Sequence, residues 1–76
     1  MPANSPWVKE TTTERFEADV IRASTERPIV VDFWATWCQP CKQLGPLLEK
    51  LAVEFNGRFE LVKVNVDENQ DLAAAF

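Results

Sequence analysis

The chain has no histidine and only two cysteines, so it cannot by itself supply the four nitrogen and sulfur ligands of a structural zinc site. It has no run of about twenty apolar residues, and residues 1–27 hold no continuous apolar stretch of the signal-peptide kind. A membrane span and a secretory leader are therefore not expected. Basic residues are in the minority: 8 Lys and Arg stand against 12 Asp and Glu, a net charge of −4. That balance leaves no footprint for nucleic acid or an anionic membrane. Internal repeats and low-complexity tracts are also missing. What is present, 46% hydrophobic and 26% charged residues over 76 positions, is the composition of a small globular unit that meets other proteins. At this length a fold buries only about 60–65% of its unfolded surface, so every element weighs on stability.

Both cysteines fall in one stretch, Asp32-Phe33-Trp34-Ala35-Thr36-Trp37-Cys38-Gln39-Pro40-Cys41-Lys42, where an apolar run ends and an amphipathic pattern begins. A bridge between neighbours this close is a poor staple. In the chain-entropy description a four-residue loop contributes roughly 2 kcal/mol, against about 3 for fifteen residues. A C-x-x-C opening a helix within a β-α-β pattern reads instead as a dithiol/disulfide redox pair, and the expected compartment is the cytoplasm.

Taken in order, residues 1–6 read as a loose N-terminal arm and Trp7 to Thr11 as a short strand. Thr12 or Thr13 offers an N-cap for a first helix carrying Phe16, Val20 and Ala23, with Glu14 and Glu17 at its positive end. Ile29 to Trp34 reads as a strand buried on both faces, interrupted by Asp32. Leu44, Leu47, Leu48, Leu51, Ala52 and Phe55 give the strongest helical periodicity, predicting a helix from about Gln39 to Phe55 that Asn56-Gly57 ends. Pro46 lies inside it and predicts a kink. Phe59 to Val66 reads as a third strand, and Asp67 to Gln70 has capping-box spacing before a helix with Leu72 and Phe76. The order β-α-β-α-β-α implies parallel pairing through a right-handed crossover.

These residues resemble the thioredoxin family. The resemblance is carried by Val30 to Lys42, Gly45-Pro46, Lys63-Val64-Asn65-Val66-Asp67 and Phe16, and it covers about residues 8–76. It implies an α/β, thioredoxin-like fold, here the N-terminal β-α-β-α-β-α portion with a mainly parallel sheet, and it places the third strand between the first two. Residues 7–76 are then a thioredoxin-like domain incomplete at its C-terminus. Two departures stand out: Gln39 replaces the family's usual glycine, and the chain ends before the cis-proline loop, the last two strands and the last helix. An open apolar edge at Ile29 to Trp34 would follow, with self-association through that edge as one consequence.

Cys38 at the first helical turn would face unpaired N–H groups and the positive end of the dipole, which favour thiolate. Pro40 suits that turn because its missing donor costs nothing there. Cys38 is thus the expected nucleophile and Cys41 the resolving thiol; the alternatives are two structural thiols or half of a metal site. A carboxylate inside an apolar strand is costly, so burial should raise the pKa of Asp32. By the resemblance Asp32 exchanges a proton with Cys41, with Lys63 as its partner on the next strand; the alternative is a purely structural pair. Gln39 either tunes the disulfide or is merely solvated. Trp37 is expected beside Cys38 as a substrate platform and Trp34 beneath the loop, with ordinary packing as the other reading. Trp7 receives no role, and Lys42 reads as a solvated helix lysine.

The resemblance implies a protein thiol–disulfide oxidoreductase acting as a reductant. It implies no cofactor beyond the Cys38–Cys41 disulfide, no metal, protein disulfides as substrates, and a thioredoxin-reductase-type or other thiol reductant as partner. The alternative is a thioredoxin-like client-binding module of a longer co-chaperone with helical repeats.

Overall fold

The computed structural model describes residues 5–76, so residues 1–4 of the expected arm lie outside the described residues. The elements run β1 (Val8–Glu10), α1 (Glu17–Arg22), β2 (Ile29–Trp34), α2 (Gln39–Phe55), β3 (Glu60–Asn65) and α3 (Gln70–Ala75). The three strands are parallel and their spatial order is β1-β3-β2. That order puts the third strand between the first two, as the resemblance implied.

The central strand has a distinct residue on each face. Val62 and Val64 pack with Phe16, Val20 and Leu72, beneath α1 and α3. Leu61 points the other way, against Val8 and Ala52 of α2. All three β3 residues are fully buried, and burying a Val or Leu side chain contributes about 1.5–3 kcal/mol. The register sets Glu10 opposite Lys63 and Asp32 opposite Lys63, so these three side chains form one row on the α2 side of the sheet.

Three local expectations need correction, and the packing of α2 adds a separate finding. β2 is not buried on both faces: Asp32 is its one buried residue and Val30 is exposed, because β2 has a single strand neighbour among the described residues. Neither Thr12 nor Thr13 caps α1 through its side chain; α1 is wound as a π-helix and continues into a 3-10 turn at Ala23–Thr25. Two threonines of this stretch, Thr11 and Thr13, serve longer-range contacts instead. Thr11 Oγ1 donates to the buried Asp19 carboxylate at 2.8 Å, and the Thr13 N–H donates to Asn69 Oδ1 at 2.8 Å. The expected capping box is also displaced: α3 starts after Asn69, and the turn before it is held by Asn65 Oδ1, which accepts from the Asp67 N–H at 2.9 Å. Finally, the apolar stripe that predicts α2 is mostly not what buries it. Gly45 and Ala52 are buried against the sheet with Leu48 partly so, whereas Leu44, Leu47, Leu51 and Phe55 remain exposed. The small residues face the sheet and let the helix approach it closely.

The ends of α2 follow from the sequence. Cys38 is its N-cap, Pro40 lies in its first turn, and Asn56 takes the left-handed conformation (φ 49°, ψ 54°) that stops it.

Candidate functional site

The strand-to-helix junction between β2 and α2 holds the candidate site. Cys38 has extended backbone (φ −94°, ψ 102°), and its sulfur accepts from the Cys41 N–H at 3.3 Å, so it performs the N-cap role usually taken by an oxygen. The two cysteines form a disulfide with Cα atoms 5.3 Å apart. Its position at the amide end of a 17-residue helix places the Cys38 sulfur where a developing thiolate is stabilised. Cys41 Sγ lies 3.9 Å from the Phe33 carbonyl oxygen, so the inner half of the disulfide sits against the end of β2. Gln39 and Pro40, between the cysteines, are exposed.

Asp32 is 7% exposed, and its Oδ2 has no hydrogen-bond partner among the described residues. Burial pushes its carboxyl above the usual carboxylate range; the Lys63 ammonium opposes that rise and the Glu49 carboxylate adds to it. Asp32 and Cys41 both line one cavity of about 170 Å³, together with Gly45, Glu49 and Lys63. That is room for a few water molecules. Lys63 stands next to Asp32 in the ladder as expected, but its ammonium pairs with Glu49 of α2. Glu49 was not singled out from the sequence, where it reads as one more helix carboxylate. Its contact with Lys63 depends on how α2 lies across β3.

Of the two tryptophans, Trp37 is 69% exposed beside Cys38, and its Nε1–H donates to both oxygens of the Asp67 carboxylate at 3.0 and 3.2 Å. Trp34 is half-buried on the cavity wall; its buried Nε1 has no partner among the described residues, and the Lys63 Nζ lies 5.7 Å from its ring centroid. Trp7, given no role from the sequence, packs far from the disulfide against Asn56-Gly57. Among the described residues no group of three or more His, Cys, Asp or Glu is placed to hold a metal ion. No helix there is long and apolar enough to cross a membrane.

The family model for thioredoxin matches residues 7–76 of this chain. The chain belongs to the thioredoxin family. It is similar to the thioredoxin of Streptomyces clavuligerus, 46% identical over 69 residues that span 91% of this chain and 62% of that protein. It is also similar to the bifunctional thioredoxin reductase/thioredoxin of Mycobacterium leprae, 45% identical over 88% of this chain and 14% of that protein. Among solved structures, that of chloroplastic thioredoxin z superposes with a TM-score of 0.79 at 43% identity, covering 90% of this chain and 58% of the other. The chain thus spans somewhat under two thirds of the length of the thioredoxins it matches. The family assignment accounts for the parallel β1-β3-β2 order and for the disulfide at the head of α2.

Proposed function

We propose that the chain carries the redox centre of a protein thiol–disulfide oxidoreductase that reduces protein disulfides in the cytoplasm. The observation that carries this reading is the Cys38–Cys41 disulfide capping the N-terminus of α2. In the reduced form the Cys38 thiolate attacks one sulfur of a substrate disulfide, and the other substrate sulfur leaves as a thiolate. Cys41 then loses its proton to Asp32, directly or through water in the shared cavity, and attacks Cys38 Sγ. The second substrate thiol departs and the Cys38–Cys41 bond re-forms. Two electrons pass from the dithiol to the substrate disulfide, and no cofactor is consumed. Trp37, held by Asp67 beside Cys38, serves as the apolar platform on which a substrate protein rests. A thioredoxin-reductase-type protein returns the two electrons; the Mycobacterium leprae relative, whose name joins the two activities in one chain, supports that pairing. The comparisons lend no support to a co-chaperone module.

The test is a redox titration of the purified chain in a defined thiol buffer, followed by tryptophan fluorescence, with Cys38→Ser alongside. A reversible two-electron transition that Cys38→Ser lacks is expected, and its midpoint reads the potential. A fluorescence signal independent of the buffer's redox state would overturn the proposal.

A further inference from the structure

Lys63 has two carboxylates to choose between. Asp32 is its direct neighbour in the parallel ladder, one strand away on the same face of the sheet. Glu49 comes from α2, fourteen positions away in sequence. The ammonium goes to Glu49, whose side chain is only 14% exposed in that pairing, while Asp32 Oδ2 is left buried and, among the described residues, without a partner. A buried acceptor normally finds a donor, so an orphaned one beside an available ammonium calls for a cause. Gly45 leaves room beside both groups. A Cβ at position 45 would lie 3.9 Å from Lys63 Nζ and 4.0 Å from Asp32 Oδ2, so the missing side chain keeps an open gap in front of both groups. That gap belongs to the cavity that also reaches Cys41.

We propose that Glu49 is a positioning residue for proton transfer from Cys41: its carboxylate holds the Lys63 ammonium away from Asp32, which keeps Asp32 Oδ2 a free acceptor on the wall of the shared cavity. The proposal rests on the acid–base reading of Asp32 given above. The charged and titratable groups facing Asp32 are Lys63 from β3, Glu49, Lys42 and Cys41 from α2, and Glu10 of β1 at the far end of the same register row. Glu49 acts on Asp32 in two ways of the same sign, by neutralising the cation that would stabilise the carboxylate and by adding a like charge nearby. Both make Asp32 a better proton acceptor than its pairing with Lys63 would allow.

The test is the carboxyl titration of Asp32 in the oxidised protein, followed by carbon-13 NMR and assigned by the signal that Asp32→Asn removes. In Glu49→Gln the freed ammonium turns to Asp32, and the titration midpoint is expected to fall by about one pH unit, the size of a nearby opposite charge. Glu49→Asp, which keeps the charge, should restore most of that fall. The pH profile of protein-disulfide reduction should move in the same direction. An unchanged or raised midpoint in Glu49→Gln would overturn the proposal whatever Asp32 does in catalysis. A lowered midpoint with a reduction profile unmoved in Glu49→Gln and in Asp32→Asn alike would instead sink the acid–base reading, and the positioning role with it. Should Glu49→Gln fold poorly, Glu49 is replaced in a Lys63→Gln background, where no ammonium is left to turn toward Asp32; a fall of a full pH unit there would also overturn the proposal.

Discussion

The indole of Trp7 closes over Gly57: a Cβ built at position 57 would come within 2.8 Å of the ring atom Cζ2, and the backbone there has φ +95°. Two independent constraints thus meet at one residue, a conformation that side chains rarely adopt and a contact with no room for a methyl group. Trp7 also reaches Asn56, its Nε1–H donating to Oδ1 at 3.4 Å, so the first strand is fastened to the C-terminal stop of α2.

Gly57→Ala is therefore expected to destabilise the fold by about 1–3 kcal/mol, since alanine is strained at positive φ and must also push the indole aside. In urea unfolding the midpoint should fall with little change in slope. Trp7→Ala/Gly57→Ala should cost less than the sum of the two single changes, because the steric part of the second disappears with the ring. Additive costs would show that the ring contact is not the cause.

The pH dependence of stability has a definite sign. Asp32 is held above the ordinary carboxylate range in the folded chain, so between its unfolded and folded titration ranges the folded state binds the extra proton. Its contribution favours the folded state below the unfolded value and is lost as pH rises through the folded value. Asp32→Asn should consequently gain stability over the wild type as pH is raised from about 4 to 7, by about 1.4 kcal/mol for each unit of upward shift, and the difference should vanish at lower pH. Denaturant titrations at a series of pH values read this directly. A difference that shrinks with rising pH would contradict it.

The same residue carries a kinetic expectation of opposite sense. Asp32→Ala should slow reduction of a protein disulfide about a hundredfold at neutral pH, within the ordinary range for losing a general base. The defect should shrink as pH rises and Cys41 ionises unaided. A rate unchanged across neutral pH would remove Asp32 from the mechanism while leaving the stability result intact.

How much of this could be read in the chain depended on the range of the interactions involved. The bounds of α2 were legible because its signals are local: a cysteine before Pro40 at one end and Asn56-Gly57 at the other. The redox pair was legible from the C-x-x-C spacing at the start of a helix, whereas the strand order came through the thioredoxin resemblance. Burial was misjudged where it depends on neighbours. The Ile29–Trp34 run is apolar enough for a central strand, yet its position at the sheet edge leaves Val30 exposed. The π-winding of α1 was invisible because it goes with contacts to residues outside the helix, Thr11 with Asp19 and Asn69 with Thr13. Glu49 and Trp7 escaped for the same reason, since their partners lie fourteen and about fifty positions away.

The two cysteines should separate cleanly by trapping. Cys38→Ser removes the attacking sulfur and is expected to abolish reduction. Cys41→Ser leaves the attack intact but no thiol to resolve it, so a stable mixed disulfide with a substrate protein should accumulate and be released by excess small thiol. Mass spectrometry of the two variants after exposure to a disulfide-containing protein distinguishes them. An adduct on Cys41 in Cys38→Ser, with none in Cys41→Ser, would reverse the assignment of nucleophile and resolving residue.

Asp67 offers a way to test the platform apart from the chemistry. Its carboxylate receives the Trp37 Nε1–H through both oxygens, and among the described residues nothing else hydrogen-bonds that indole, which is otherwise largely in solvent beside Cys38. Asp67→Ala should let the ring sample other rotamers, so that part of the binding free energy for a protein substrate goes into ordering it again. Losing about 1 kcal/mol in this way would raise KM for a protein disulfide about fivefold while kcat stays close to the wild-type value. A small-molecule disulfide makes no use of the platform, and its rate should be unaffected by the substitution. Equal losses toward the large and the small substrate would mean that Asp67 acts on the cysteines themselves. Trp37 would then be a bystander to recognition.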